Sequence, residues 1–123
     1  MAIATPADLA ADPRRRFANP HAGDVATFVE TAAESGGART LLRIELAPGG
    51  GTPPHVHRTY DERFRVLEGQ LTVMAAGRKH QLEEDDGLHA AAGVVHCFRN
   101  DGDEPVVFEV ESTPGHRGFE QAI

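Results

Sequence analysis

The feature that most limits what this chain can fold into is a run of short segments in which apolar and polar residues alternate. Leu42-Arg43-Ile44-Glu45-Leu46 alternates strictly, so Leu42, Ile44 and Leu46 share one face and Arg43 and Glu45 the other. Val106, Phe108 and Val110 alternate in the same way with Val107, Glu109 and Glu111. Further strands are expected over 25–30, 62–67, 70–76, 79–82, 88–91 and 94–99. Turn residues separate them at Ser35-Gly36-Gly37, Gly69, Ala76-Gly77, Asp85-Asp86-Gly87, Gly93 and Asn100-Asp101-Gly102-Asp103. Many short strands with frequent turns predict an all-β sandwich or barrel. No long amphipathic helix interrupts them, which argues against a parallel α/β sheet.

The length of 123 residues suits one domain with one hydrophobic core. We expect an N-terminal arm over 1–16, a single β domain over 17–113 and a tail over 114–123. Thr5, Pro6 and Asp8 carry helix-start signals, and Pro13 ends that segment. The net charge of −7 argues against a nucleic-acid partner, which needs a basic stripe. Arg14-Arg15-Arg16, the one basic cluster, reads as a solvated arm. A single cysteine, Cys97, excludes an intrachain disulfide. The N-terminus lacks a signal-peptide pattern, and no segment approaches the ~20 apolar residues of a membrane span. The expectation is a cytoplasmic protein with no membrane partner.

Chemistry concentrates in two segments. The first reads Gly49-x5-His55-Val56-His57-x4-Glu62-x6-Gly69, and the second Gly93-x2-His96-x3-Asn100. Residues two apart on a strand point the same way, so His55 and His57 can both face inward from one strand. Glu62 follows after a short loop, and His96 comes from a strand that must lie alongside. Three imidazoles and one carboxylate suit one divalent transition metal per chain: Fe, Mn, Ni, Zn or Cu. In an octahedral ion this set leaves two positions open for substrate and for dioxygen or water.

These segments resemble the two motifs of the cupin superfamily. The first family motif, G-x5-H-x-H-x3–4-E-x6-G, fits Gly49 to Gly69 without departure. The second, G-x5-P-x-G-x2-H-x3-N, matches at Gly93, His96 and Asn100, with Asp85 at the first glycine and Ala91 at the proline. Asp tolerates the left-handed conformation a glycine would adopt there. The resemblance spans about residues 38–112 and resembles small single-domain bacterial cupins. It implies the double-stranded β-helix, or jelly-roll barrel, with the metal on His55, His57, Glu62 and His96. It also implies a homodimer.

Alternation from Glu62 and His96 turns Phe64, Val66 and Phe98 inward. Together with Leu42, Ile44, Phe108 and Val110 they either line an apolar pocket or fill the barrel core, and Tyr60 stands near the mouth. Cys97 and His89 point away from the site, Asn100 fixes a turn, and His21, His80 and His116 read as surface residues. A pocket of this kind favours a small, apolar ligand that chelates through oxygen. The resemblance then implies a metal-dependent, dioxygenase-like oxidoreductase with Glu62 as the catalytic base. An isomerase or lyase could use the same parts. A non-catalytic cupin that binds a small ligand or senses metal is the alternative, because one fold carries many chemistries.

Overall fold

A computed structural model describes residues 13–115. The helix-start signals at Thr5, Pro6 and Asp8, and His116, lie outside the described residues. A 3-10 turn, Pro13–Arg15, leads into nine strands: β1 (Arg16–Asn19), β2 (Asp24–Glu30), β3 (Thr40–Leu46), β4 (Asp61–Glu68), β5 (Leu71–Ala75), β6 (Arg78–Leu82), β7 (Gly87–Ala90), β8 (His96–Arg99) and β9 (Val106–Thr113). They form two antiparallel sheets. The larger has the order β1-β2-β3-β9-β4-β7, the smaller β6-β5-β8. The fold is a jelly-roll barrel.

Alternation decides which residues meet between the sheets. Along β3, Thr40, Leu42, Ile44 and Leu46 are buried while Arg43 and Glu45 are exposed. In register, Leu42 faces Val110 and Ile44 faces Phe108, and Val110 and Phe108 face Phe64 and Val66. Opposite them, Val73 pairs with Phe98 on the smaller sheet. Phe64, Phe98 and Phe108 meet at ring separations of 5.1 to 6.4 Å, within the range where aromatic pairs add to the burial energy.

The N-terminal segment corrects the expectation of a solvated basic arm. Arg15 donates from Nε to the Phe28 carbonyl at 2.9 Å, and its guanidinium holds Glu34 through two bonds of 2.7 and 3.1 Å. Arg16 pairs with Glu45 at 2.9 Å. The edge strand β1 has four residues, too few for a period of two to stand out, so the sequence pattern missed it. Two strands are longer than expected at ends that matter for the site. β2 begins at Asp24, and β9 runs on to Thr113.

Asn100 ties the barrel end together. Its Nδ2 donates to the carbonyls of Leu46 at 3.0 Å and Glu104 at 2.8 Å, and its Oδ1 accepts the Gly102 N–H at 3.0 Å. Asp85 holds φ at +69°, the left-handed backbone that the family motif assigns to glycine.

A candidate metal centre beside an apolar cavity

The chain from Gly49 to His57 runs antiparallel to β8 as an incomplete strand. Thr52 donates its N–H to the Phe98 carbonyl at 3.0 Å, and His55 and His96 exchange two backbone bonds of 2.9 Å. Between them lie Pro53 and Pro54, which have no N–H to give. The ladder therefore reduces to two isolated bridges, Gly51 with Arg99 and His55 with His96. A regular strand carrying both histidines was expected, and the prolines prevent it. Gly51 is required by closeness: a Cβ there would meet the Phe98 carbonyl oxygen at 2.5 Å. Gly93 makes the turn into β8 at φ +86° and donates its N–H to the His57 carbonyl at 2.7 Å.

This backbone brings the four side chains together. His96 opens β8, and Glu62 is the second residue of β4, turned inward with Phe64 and Val66. One ligand atom from each of His55, His57, Glu62 and His96 lies within 4.8 Å of the others. His57 Nε2 is in direct contact with Glu62 Oε1, and His96 Nε2 lies 3.6 Å from the same oxygen.

Backbone and side-chain partners orient each ring. His55 Nδ1 donates to the Pro53 carbonyl and His96 Nδ1 to the Val94 carbonyl, each at 2.9 Å. Both Nε2 atoms are thereby left as acceptors. His57 Nδ1 is 2.6 Å from the Tyr60 hydroxyl. With His57 Nε2 donating to Glu62, Nδ1 accepts from Tyr60; with Nε2 facing a cation, Nδ1–H donates to the Tyr60 oxygen. Burial, helped by the Glu62 charge, pushes the Tyr60 pKa up to about 12, so the phenol keeps its proton. Glu62 is also the main influence on His96, whose pKa it raises while burial works against it. At 3.6 Å that approach is electrostatic, being too long for a hydrogen bond.

The decisive atom is His96 Nε2. It is buried without a hydrogen-bond partner among the described residues, and leaving such a group unpaired costs about 1–3 kcal/mol. A cation held by the three imidazoles and Glu62 would satisfy it. The donor set and its orienting carbonyls fit a single transition-metal ion. Beside the cluster lies a cavity of about 210 Å³, lined by His55, His57 and Glu62 and by the apolar Leu42, Ile44, Phe98 and Val110.

Comparison with known proteins settles the family. Residues 42–111 match the family described as Cupin domain. The chain is a cupin. It is 43% identical over 74 residues to quercetin 2,3-dioxygenase of Bacillus subtilis (strain 168), covering 60% of this chain and 22% of that protein. It is 39% identical over 71 residues to germin-like protein subfamily 2 member 1 of Arabidopsis thaliana, covering 54% of this chain and 32% of that one. The cupin thus spans a third or less of these two relatives. Among solved structures, KdgF from Halomonas sp. superposes with a TM-score of 0.71 at 19% identity, over 84% of this chain and 87% of that one. A predicted oxalate decarboxylase from Thermotoga maritima gives 0.70 at 21%, over 80% and 90%. At these identities the structures speak to fold alone.

Of the expected pocket residues, the cupin places Leu42, Ile44, Tyr60, Phe98 and Val110 at the cavity. Phe64, Val66 and Phe108 do not line it. They are 2%, 0% and 0% exposed and fill the core. Sequence reasoning missed Phe17, Asp24, Ala26, Thr52 and Ser112, which do line it. A signal existed for two of them: Asp24 is in phase with Ala26 and Phe28, and Ser112 with Phe108 and Val110. Both were lost because the expected strands stopped one residue short of them, at the start of β2 and the end of β9. His89 lies outside the cluster, 3.1 Å from Asp61 on the exposed side. Cys97 is a buried free thiol. His21 is exposed, as expected, whereas His80 is half-buried on β6 opposite Val73 rather than at the surface.

Proposed function

We propose that this cupin is a metal-dependent oxidoreductase of the dioxygenase type, acting on a small, fairly apolar substrate that chelates through oxygen. The observation that carries this is the unpartnered His96 Nε2, set among three further ligand atoms beside an apolar cavity. The likeness to a quercetin 2,3-dioxygenase over 74 residues supports the reaction class. A bound metal ion would supply Lewis-acid polarisation and a redox centre.

The chain's own residues do the rest. Pro53, Val94 and Tyr60 hold the three imidazoles in place. Leu42, Ile44, Phe98 and Val110 exclude water, which strengthens every electrostatic interaction inside. Glu62 Oε1, already in contact with His57, accepts the proton that a chelating hydroxyl loses.

Protein loaded separately with Fe(II), Mn(II), Ni(II), Cu(II) and Zn(II) is assayed for oxygen uptake with flavonols, β-diketones and catechols. Uptake with at least one metal–substrate pair is expected, and its loss in Glu62→Gln. No turnover in any combination would refute an oxygenase and leave a ligand-binding cupin.

A further inference from the structure

A second carboxylate, Asp24, borders the same cavity as the metal cluster, and the catalytic reading gives it no task. It is 8% exposed. Among the described residues its side chain has one hydrogen bond, donated by Asn19 Nδ2 to Oδ1 at 2.8 Å. A carboxylate offers about four lone-pair sites, so one neutral donor leaves it short of partners. Desolvation pushes its pKa up, with the Asn19 bond working against that.

Its position within the cavity follows from the register. Asp24 lies opposite Leu46 at one end of β3. Glu62 lies opposite Ser112, and Ser112 opposite Thr40 at the other end of β3. The two carboxylates therefore close the cavity from opposite ends, with Ala26, Ile44 and Leu42 between them. Six residues of strand span roughly 20 Å at the backbone. Side chains reaching inward from both ends shorten the gap, yet it still calls for an elongated molecule. The cavity volume of about 210 Å³ is below the roughly 300 Å³ at which drug-sized pockets begin, so the molecule must also be narrow.

We infer that Asp24 is a specificity residue for the distal end of the ligand: the substrate class is an elongated oxygen chelator whose far end carries a hydrogen-bond donor, a hydroxyl or an ammonium. The inference rests on the chelating reading above. An apolar tail would leave Asp24 buried and under-partnered, and the site would discriminate against it, as sites with unpaired polar groups do.

The test uses zinc-loaded protein, since zinc is redox-silent and leaves catechols unoxidised. Binding of catechols carrying a 4-alkyl chain of increasing length, ended by methyl, hydroxyl or ammonium, is measured by titration calorimetry. At one chain length, a donor-ended ligand should bind at least about tenfold tighter than its methyl-ended match, the gain of one good hydrogen bond to a charged group. Asp24→Ala should abolish that preference. Asp24→Asn, which keeps the shape, should abolish it for ammonium and weaken it for hydroxyl, and it stands in if the alanine variant fails to fold. A preference for ammonium over hydroxyl in the unaltered protein identifies a cationic ligand, the reverse a neutral one. Equal binding of all three termini at every length, or a preference that survives both substitutions, overturns the inference alone. No catechol binding while zinc is held overturns the chelating reading and this inference with it.

Discussion

Asn100→Ala should be among the most damaging single changes outside the metal cluster, and the loss can be worked out from its bonds. The side chain is 2% exposed and makes three hydrogen bonds, to the carbonyls of Leu46 and Glu104 and from the N–H of Gly102. Each contributes about 1 kcal/mol net. Gly102 and Glu104 are exposed, so water can replace Asn100 there. Leu46 is fully buried, so no water replaces the amide at its carbonyl. The expected cost is about 3 kcal/mol, a large part of the ~5–15 kcal/mol that stabilises a typical domain. Urea unfolding of metal-free protein at neutral pH measures it, through a shift in midpoint at unchanged slope. Asn100→Asp should be at least as harmful, because a carboxylate would replace the donor facing two carbonyls. A cost below about 1 kcal/mol for the alanine variant would refute the claim that this side chain is a principal clamp. The site should respond as well. The Asn100 backbone also bonds Gly49 and Gly50, which anchor the segment carrying His55 and His57 to β8.

Other expectations test separate parts of the structure. His55→Ala/His96→Ala should lose stoichiometric metal in elemental analysis, and full retention would sink the ligand assignment. Tyr60→Phe removes the bond to His57 Nδ1 and should weaken metal affinity about 10- to 100-fold in a chelator competition, as loss of a ligand's orienting partner does. Phe64→Ala should cost about 3–5 kcal/mol in calorimetric unfolding, since the ring is 2% exposed; a cost under 1 kcal/mol would mean that Phe64 borders empty space. Glu34 is held below its ordinary pKa of 4.5, chiefly by its hydrogen bond with Arg15. Its stabilising effect is complete above the unfolded pKa and fades as pH falls through the lowered folded value. Glu34→Gln should therefore flatten the acid limb of the stability profile below about pH 4.5, and an unchanged limb would count against the pair.

The pattern of strands β2 to β9, the inward faces of β3, β4, β8 and β9, and the four candidate ligands were legible in the sequence. These depend on a local rule: neighbouring side chains on a strand point to opposite sides, whatever the strand packs against. The family motif added which histidines belong together, because the spacing records a hairpin connection. Alternation could not say what an inward residue meets. Phe108 and Val110 share one face of one strand and both pack in the core, yet only Val110 also borders the cavity. That difference depends on what the rest of the barrel places opposite each residue, which no single strand encodes. Nor could the sequence show that His55 and His57 reach the cluster from a proline-broken segment held by β8. Asp24 shows the same division of labour. Its inward phase was written in the chain, but only the assembled barrel closes a cavity between it and Glu62, because their strands are separated in the sheet by β3 and β9.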